Sequence, residues 1–88
     1  MNTQFWEDLG ETGIKLLIAV HELGGSGYVL EVMAKARIGR TAWYRLMPVI
    51  EKHGLGVIED KPQRVRLTEK GKRIAELLTE IDKISTSS

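Results

Sequence analysis

The apolar positions of this chain first recur with a helical period. From Gly13 to Leu23 the run GIKLLIAVHEL is apolar around most of a helical wheel, through Ile14, Leu16, Leu17, Ile18, Ala19, Val20 and Leu23. A helix of that composition is expected to be buried on most sides. Thr12 precedes it as a candidate cap, and GGSG at 24–27 ends it, because glycine accepts the left-handed conformation in which helices stop. Tyr28 to Leu30 predicts a short strand, and Glu31 to Arg37 a short helix burying Val32, Met33 and Ala36. After a turn at Gly39, the residues Ile38, Ala42, Trp43, Leu46 and Met47 recur at steps of three and four. That spacing predicts a helix from Arg40 to about His53, ended by Gly54. Pro48 lies inside it and removes the backbone bond to the Tyr44 carbonyl, at about 3 kcal/mol in an ordinary interior, so a bend or a restart is expected there.

Beyond Gly54 the period changes to two. GVIED at 56–60 and RVRLT at 64–68 predict two strands joined by Asp60, Lys61, Pro62 and Gln63, with Val65 and Leu67 on one face and Arg64 and Arg66 on the other. Thr68 then caps a last helix through about Ile84, leaving 85–88 as a disordered tail. In that helix Ile74, Leu77, Ile81 and Ile84 repeat at steps of 3, 4 and 3, with Leu78 beside them. This is a seam of coiled-coil type. It can pack on the chain's own first helix or on a second copy, and its length beyond the hairpin favours a homodimer, with Phe5 and Trp6 as further interface candidates.

Composition narrows the class. A chain of 88 residues suits one domain, expected over 1–84, with a core and hairpin at 12–67 and the last helix at 68–84. The absence of cysteine excludes a disulfide scaffold, a thiol nucleophile and a thiolate-bound zinc. No run approaches the roughly 20 apolar residues that span a bilayer, and Glu7, Asp8 and Glu11 interrupt the N-terminus as a signal peptide would not. A cytoplasmic protein without a membrane partner is expected, nucleoid-associated in a cell or in the host cytoplasm if the source is viral.

The formal net charge of +1 conceals a strong pattern. Residues 1–31 carry one base and five acids, whereas 32–50 carry Lys35, Arg37, Arg40 and Arg45 with no acid. Residues 61–73 hold six bases against Glu69 alone. Two basic blocks separated by an acidic one can merge into a single face on folding, which suits a polyanion. Within the first block, Arg40, Thr41, Tyr44 and Arg45 fall on the side of their helix opposite the apolar stripe.

Three helices, the last two joined by a tight turn, followed by a two-stranded hairpin, is the order of a winged helix-turn-helix domain. Val32, Met33, Ala36, Ile38, Trp43, Met47 and Ile50 fall where such sequences place buried residues. IEKHGL at 50–55 is similar to the end of a recognition helix entering the first wing strand, and RLTEKGKRIAELL at 66–78 resembles the segment after the wing in MarR-like and PadR-like transcriptional regulators. The resemblance spans about residues 12 to 84 and implies an α+β, mainly α, winged helix-turn-helix with a three-helix core, a two-stranded wing and a C-terminal dimerisation helix. MarR-like proteins are longer, so the likeness reaches only their core and one terminal helix, and no small-molecule effector is carried over.

The resemblance further implies that the helix from Arg40 enters the major groove of double-stranded DNA. The residue chemistry agrees: arginine bonds guanine bidentately, and threonine and tyrosine reach base edges or phosphate. Arg40, Thr41, Tyr44 and Arg45 are the expected readers, and Lys61, Gln63, Arg64 and Arg66 of the wing the expected phosphate or minor-groove contacts. Lys35 and Arg37 are further candidates for phosphate.

Other chemistry finds little footing. GGSG is followed by no Gly-Lys-Ser/Thr and opens no helix, unlike a phosphate loop. His21 and His53 have no carboxylate at ligand spacing, no nucleophile has a base beside it, and neither an enzyme nor a cofactor is expected. A small dimeric sequence-specific DNA-binding regulator is therefore the first reading. The second is a winged-helix module that binds protein, which would have no reason to keep a basic groove-facing surface.

Overall fold

The computed structural model describes residues 3–87, so the expected tail at 85–88 falls partly outside them, at Ser88. Seven elements follow in order: α1 (Thr3–Glu22), β1 (Ser26–Tyr28), α2 (Val29–Ala36), α3 (Arg40–Lys52), β2 (Gly56–Glu59), β3 (Arg64–Leu67) and α4 (Glu69–Thr86).

α1 starts at Thr3, well ahead of the expected start at Gly13, and is broken once. At Gly10 the backbone leaves helical space, with φ 62° and ψ −176°, a conformation open in practice only to glycine. The stretch before the break is anchored by Leu9, 1% exposed, and by Phe5, which packs on the core. Thr12 therefore does not begin a helix; its hydroxyl accepts a hydrogen bond from Arg45 at 2.7 Å. Gly24 and Gly25 close α1 as expected, their amides donating to the carbonyls of His21 and Val20.

The hairpin is part of a larger sheet. β3 lies in the middle of the order β1-β3-β2, antiparallel to both neighbours. The early strand thus falls at 26–28 instead of 28–30, because Ser26, Gly27 and Tyr28 pair with Arg66, Val65 and Arg64. A central strand needs one apolar face, and β3 supplies it with Val65 and Leu67 buried and Arg64 and Arg66 exposed.

α3 neither stops nor restarts at Pro48. Pro48 and Tyr44 are both exposed, where water can serve the carbonyl that loses its helical partner. Trp43, Leu46 and Ile50 of α3 join Leu16, Leu17 and Val20 of α1 and Val32 of α2 in one core. α4 seals it from the other side, packing chiefly on α1.

Two devices set the start of α4. The Thr68 hydroxyl accepts from the Gly71 amide at 3.1 Å and donates to the Gly54 carbonyl at 2.6 Å, tying the helix to the end of α3. Gly71 then lies so close to the Leu55 carbonyl that a Cβ would stand 1.8 Å from its oxygen. Downstream, Leu78 is only 7% exposed and belongs to the core, and Ile74 packs against that core. The expected seam is thus divided: its Leu78 side serves the chain itself, because α1 lies there, and Leu77, Ile81 and Ile84 are left outward at 54%, 59% and 67% exposure.

Candidate nucleic-acid interface

The first turn of α3 has no acidic residue, and its cap Gly39 offers no side-chain acceptor. Its free amides and positive dipole end therefore favour an anion. Arg40 and Thr41 are exposed there, and Tyr44 is 65% exposed one turn on. Among the described residues, Arg40 has no ion-pair partner.

Arg40 and Tyr44 border a cleft of about 600 Å³ that also takes in Tyr28, Leu30, Trp43, Pro62 and Gln63. The hairpin tip is brought there by a backbone bond from the Val29 amide to the Gln63 carbonyl, 3.0 Å. Register then carries the surface along the sheet, since Arg64 faces Tyr28 across β1 and its guanidinium lies 5.3 Å from that ring's centroid. This is cation–π range. Arg66 follows on the same exposed face of β3, and Lys61 is exposed at the tip. Arg64, Arg66 and Lys61 likewise have no ion-pair partner among the described residues, although Glu59 stands opposite Arg64 in register.

Arg40, Tyr44 and Gln63 are thus gathered around one cleft, which Arg64 adjoins through Tyr28. Solved structures share this fold. Crystal structures of NadR superpose on the chain at 23% identity, the complex with 4-hydroxyphenylacetate at TM-score 0.70 and the ligand-free protein at 0.68. The chain thus has a winged helix-turn-helix fold like that of NadR. Each match covers 89% of this chain but only 62% and 61% of the NadR chains, so the chain spans less than two thirds of their length. Neither a protein-family model nor a curated protein sequence matches it. In winged-helix terms, α2 and α3 form the helix-turn-helix, α3 takes the position called the recognition helix in that fold, and β2 and β3 form the wing.

Three expected site residues stand apart from this group. Lys35 and Arg37 border a different depression, with Lys15 and Glu22 of α1 and Asp82 of α4, because the left-handed turn at Arg37 sets the end of α2 against those helices. Arg45 is exposed, yet its guanidinium is spent on α1. It donates to the Asp8 carbonyl at 2.5 Å, the Leu9 carbonyl at 2.9 Å and the Thr12 hydroxyl at 2.7 Å.

At the far end of α3, His53 is not alone as its sequence neighbourhood suggested. Its Nε2 lies 2.9 Å from Asp8 Oδ2, which also takes Lys52 at 3.2 Å. The bonds from His53, then Gln4 and Lys52, hold the Asp8 carboxyl down to about 2 from its ordinary 3.8. The Phe5 ring meets His53 edge-on at 5.3 Å. Nothing local signals this pairing, since Asp8 and His53 are 45 residues apart. Tyr28 was also missed as a site residue, because only the β1–β3 pairing places it under Arg64.

The proposed dimer surface is a separate feature. Phe5, Trp6, Ile74, Leu77, Leu78 and Ile81 line a groove with apolar walls between the start of α1 and α4. Trp6 is 43% exposed at its rim and meets Phe5 edge-on at 5.2 Å. From Glu80 onward every described residue of α4 is exposed. No described helix is long and apolar enough to cross a membrane.

Proposed function

We propose that the protein is a small dimeric transcriptional regulator that binds double-stranded DNA sequence-specifically, with the recognition helix in the major groove and the wing on the backbone or in the minor groove. The observation that carries this reading is the set of exposed cations without acidic partners among the described residues, Arg40, Arg64 and Arg66, arranged around the acid-free N-terminal turn of α3 and the wing face. Solvated structural arginines are ordinarily interleaved with carboxylates; a surface that leaves them unpaired at a helix N-terminus is suited to phosphates. Arg40, Thr41 and Tyr44 read base edges, and Lys61, Gln63, Arg64 and Arg66 position the duplex.

Dimerisation rests on the outward half of the α4 seam. Leu77, Ile81 and Ile84 are large apolar side chains exposed on a helix that runs past its own core, and Trp6 of α1 is exposed beside Leu77 and Ile81 in the groove that they share. Covering them with the same surface of a second copy gives a two-fold dimer, and two recognition helices then address half-sites about one helical turn apart. The test is binding to random duplex titrated against salt, followed by selection of the bound sequences. A steep salt dependence and an enriched inverted repeat are expected. Absence of binding to any duplex at low salt overturns the reading in favour of a protein-binding module.

A further inference from the structure

The first stretch of α1, residues 3–9, touches both surfaces described above. On one side it lies along the recognition helix; on the other, Phe5 and Trp6 form a wall of the apolar groove with α4. What fastens it to the recognition helix is visible atom by atom. The break at Gly10 puts the carbonyls of Asp8 and Leu9 in the last turn of a helical stretch, where carbonyls ordinarily lack helical partners. Arg45 supplies them: Nη1 donates to Asp8, and Nη2 uses one proton on Leu9 and the other on the Thr12 hydroxyl beyond the break. Its positive charge also suits the negative end of that stretch. A second fastening lies two turns along α3, where the Asp8 side chain meets Lys52 and His53.

We propose that Arg45 is a positioning residue that locks the N-terminal stretch across the recognition helix, so that a second copy closing the apolar groove also fixes the helix that reads DNA. The DNA and dimer parts rest on the function proposed above; the locking itself does not. With both Nη2 protons committed, Arg45 has no fork left for bidentate bonding to guanine without releasing α1. Gly10 belongs to the same device, since a Cβ there would stand 3.4 Å from Arg45 Nη2 on a backbone that side chains rarely adopt. Closing the groove orders Phe5 and Trp6, hence Asp8 and Leu9, and hence Arg45; binding a duplex to α3 orders the same chain of contacts in the reverse direction. The two events are linked, and linkage is reciprocal.

Arg45→Gln, Arg45→Lys and Thr12→Val separate this role from a DNA contact. Thr12→Val is the sharper probe, because it removes an acceptor on α1 and leaves every cation in place. Amide hydrogen exchange of residues 3–9, self-association by sedimentation, and duplex binding across a salt series are measured for each variant. Arg45→Gln is expected to speed exchange in that stretch and to weaken both self-association and duplex binding about tenfold, the scale of one lost charge-assisted hydrogen bond. Selected and random sequences lose equally, and the slope of log affinity against log salt stays as in the parent. Thr12→Val moves the same readouts the same way by about threefold, and Arg45→Lys, which keeps the charge and fewer bonds, falls between. Unchanged exchange in both Arg45→Gln and Thr12→Val overturns the proposal. So does a slope flattened by about one unit in Arg45→Gln with Thr12→Val silent, which would make Arg45 a phosphate contact. A parent protein that binds no duplex counts against the DNA reading alone, and the exchange and sedimentation readouts then decide the locking.

Discussion

At the residue scale, two arginines one turn and a fraction apart on α3 have opposite fates. Arg40 and Arg45 share the polar side of the helix, and their chemistry in the sequence is identical; what separates them is Gly10, beside whose break Arg45 takes two carbonyls, whereas Arg40 has no ion-pair partner among the described residues. Arg40→Ala is therefore expected to lose about 1 to 3 kcal/mol on a selected duplex and less on a random one, as measured by competition binding. Equal losses on both would demote Arg40 to a phosphate contact. Gly71 makes the corresponding point for stability. A methyl group there would meet the Leu55 carbonyl, which already accepts from the Thr68 amide at 3.0 Å, so α4 must shift bodily. Gly71→Ala should cost about 1 to 3 kcal/mol, read as a lower midpoint of urea unfolding at an unchanged slope. The glycine stood plainly within the RLTEKG motif, but its reason is a contact with a residue on another segment.

Elements were legible where a period ran long and obscured where pairing or a break decided. The helix from Arg40 and the β3 alternation of buried and exposed positions stand as their periodicity implies. Three residues at 26–28 carry too little pattern to place a strand, and β3 chose them. Arg64, exposed beside Tyr28, tests the wing. If it meets phosphate, Arg64→Ala flattens the slope of log affinity against log salt by about 0.9 and weakens all sequences alike. An unchanged slope in the folded variant would place the wing off the DNA. The start of α1 carries a pH signature of its own. Because the folded state depresses the Asp8 carboxyl from 3.8 to about 2, chiefly through His53, the unfolded chain binds more protons between those values. The Asp8 contribution is thus full above about pH 4 and is lost as pH falls towards 2. Asp8→Asn should be less stable than its parent at about pH 5, with the gap narrowing steadily below about pH 4 in chemical denaturation. A gap that stays constant across that range would show the carboxylate to be idle.

For the whole molecule, the question is what covers α4. A groove with apolar walls and three outward isoleucine and leucine side chains would remain against water in a monomer, at about 25 cal/mol for each Å² left uncovered. Ile81→Asp is a clean probe, since Ile81 is 59% exposed and its replacement leaves the chain's own core intact, whereas a charge at Leu78 would unfold it. Sedimentation at micromolar concentration should find a dimer for the parent and a folded monomer for Ile81→Asp; a monomeric parent would remove the dimer and with it the paired half-sites. The sequence by itself determined the order of helices, the wing with its basic outward face, and an apolar seam on the last helix, because these depend on residue type at a local period of two or of three to four. Only the tertiary structure decided that the early strand lies at 26–28 and pairs with β3, that Leu78 turns inward while Leu77 and Ile81 do not, and that Arg45 serves α1. Each of those outcomes is set by which partner arrives from a distant part of the chain, and the local pattern of residues carries no record of that partner.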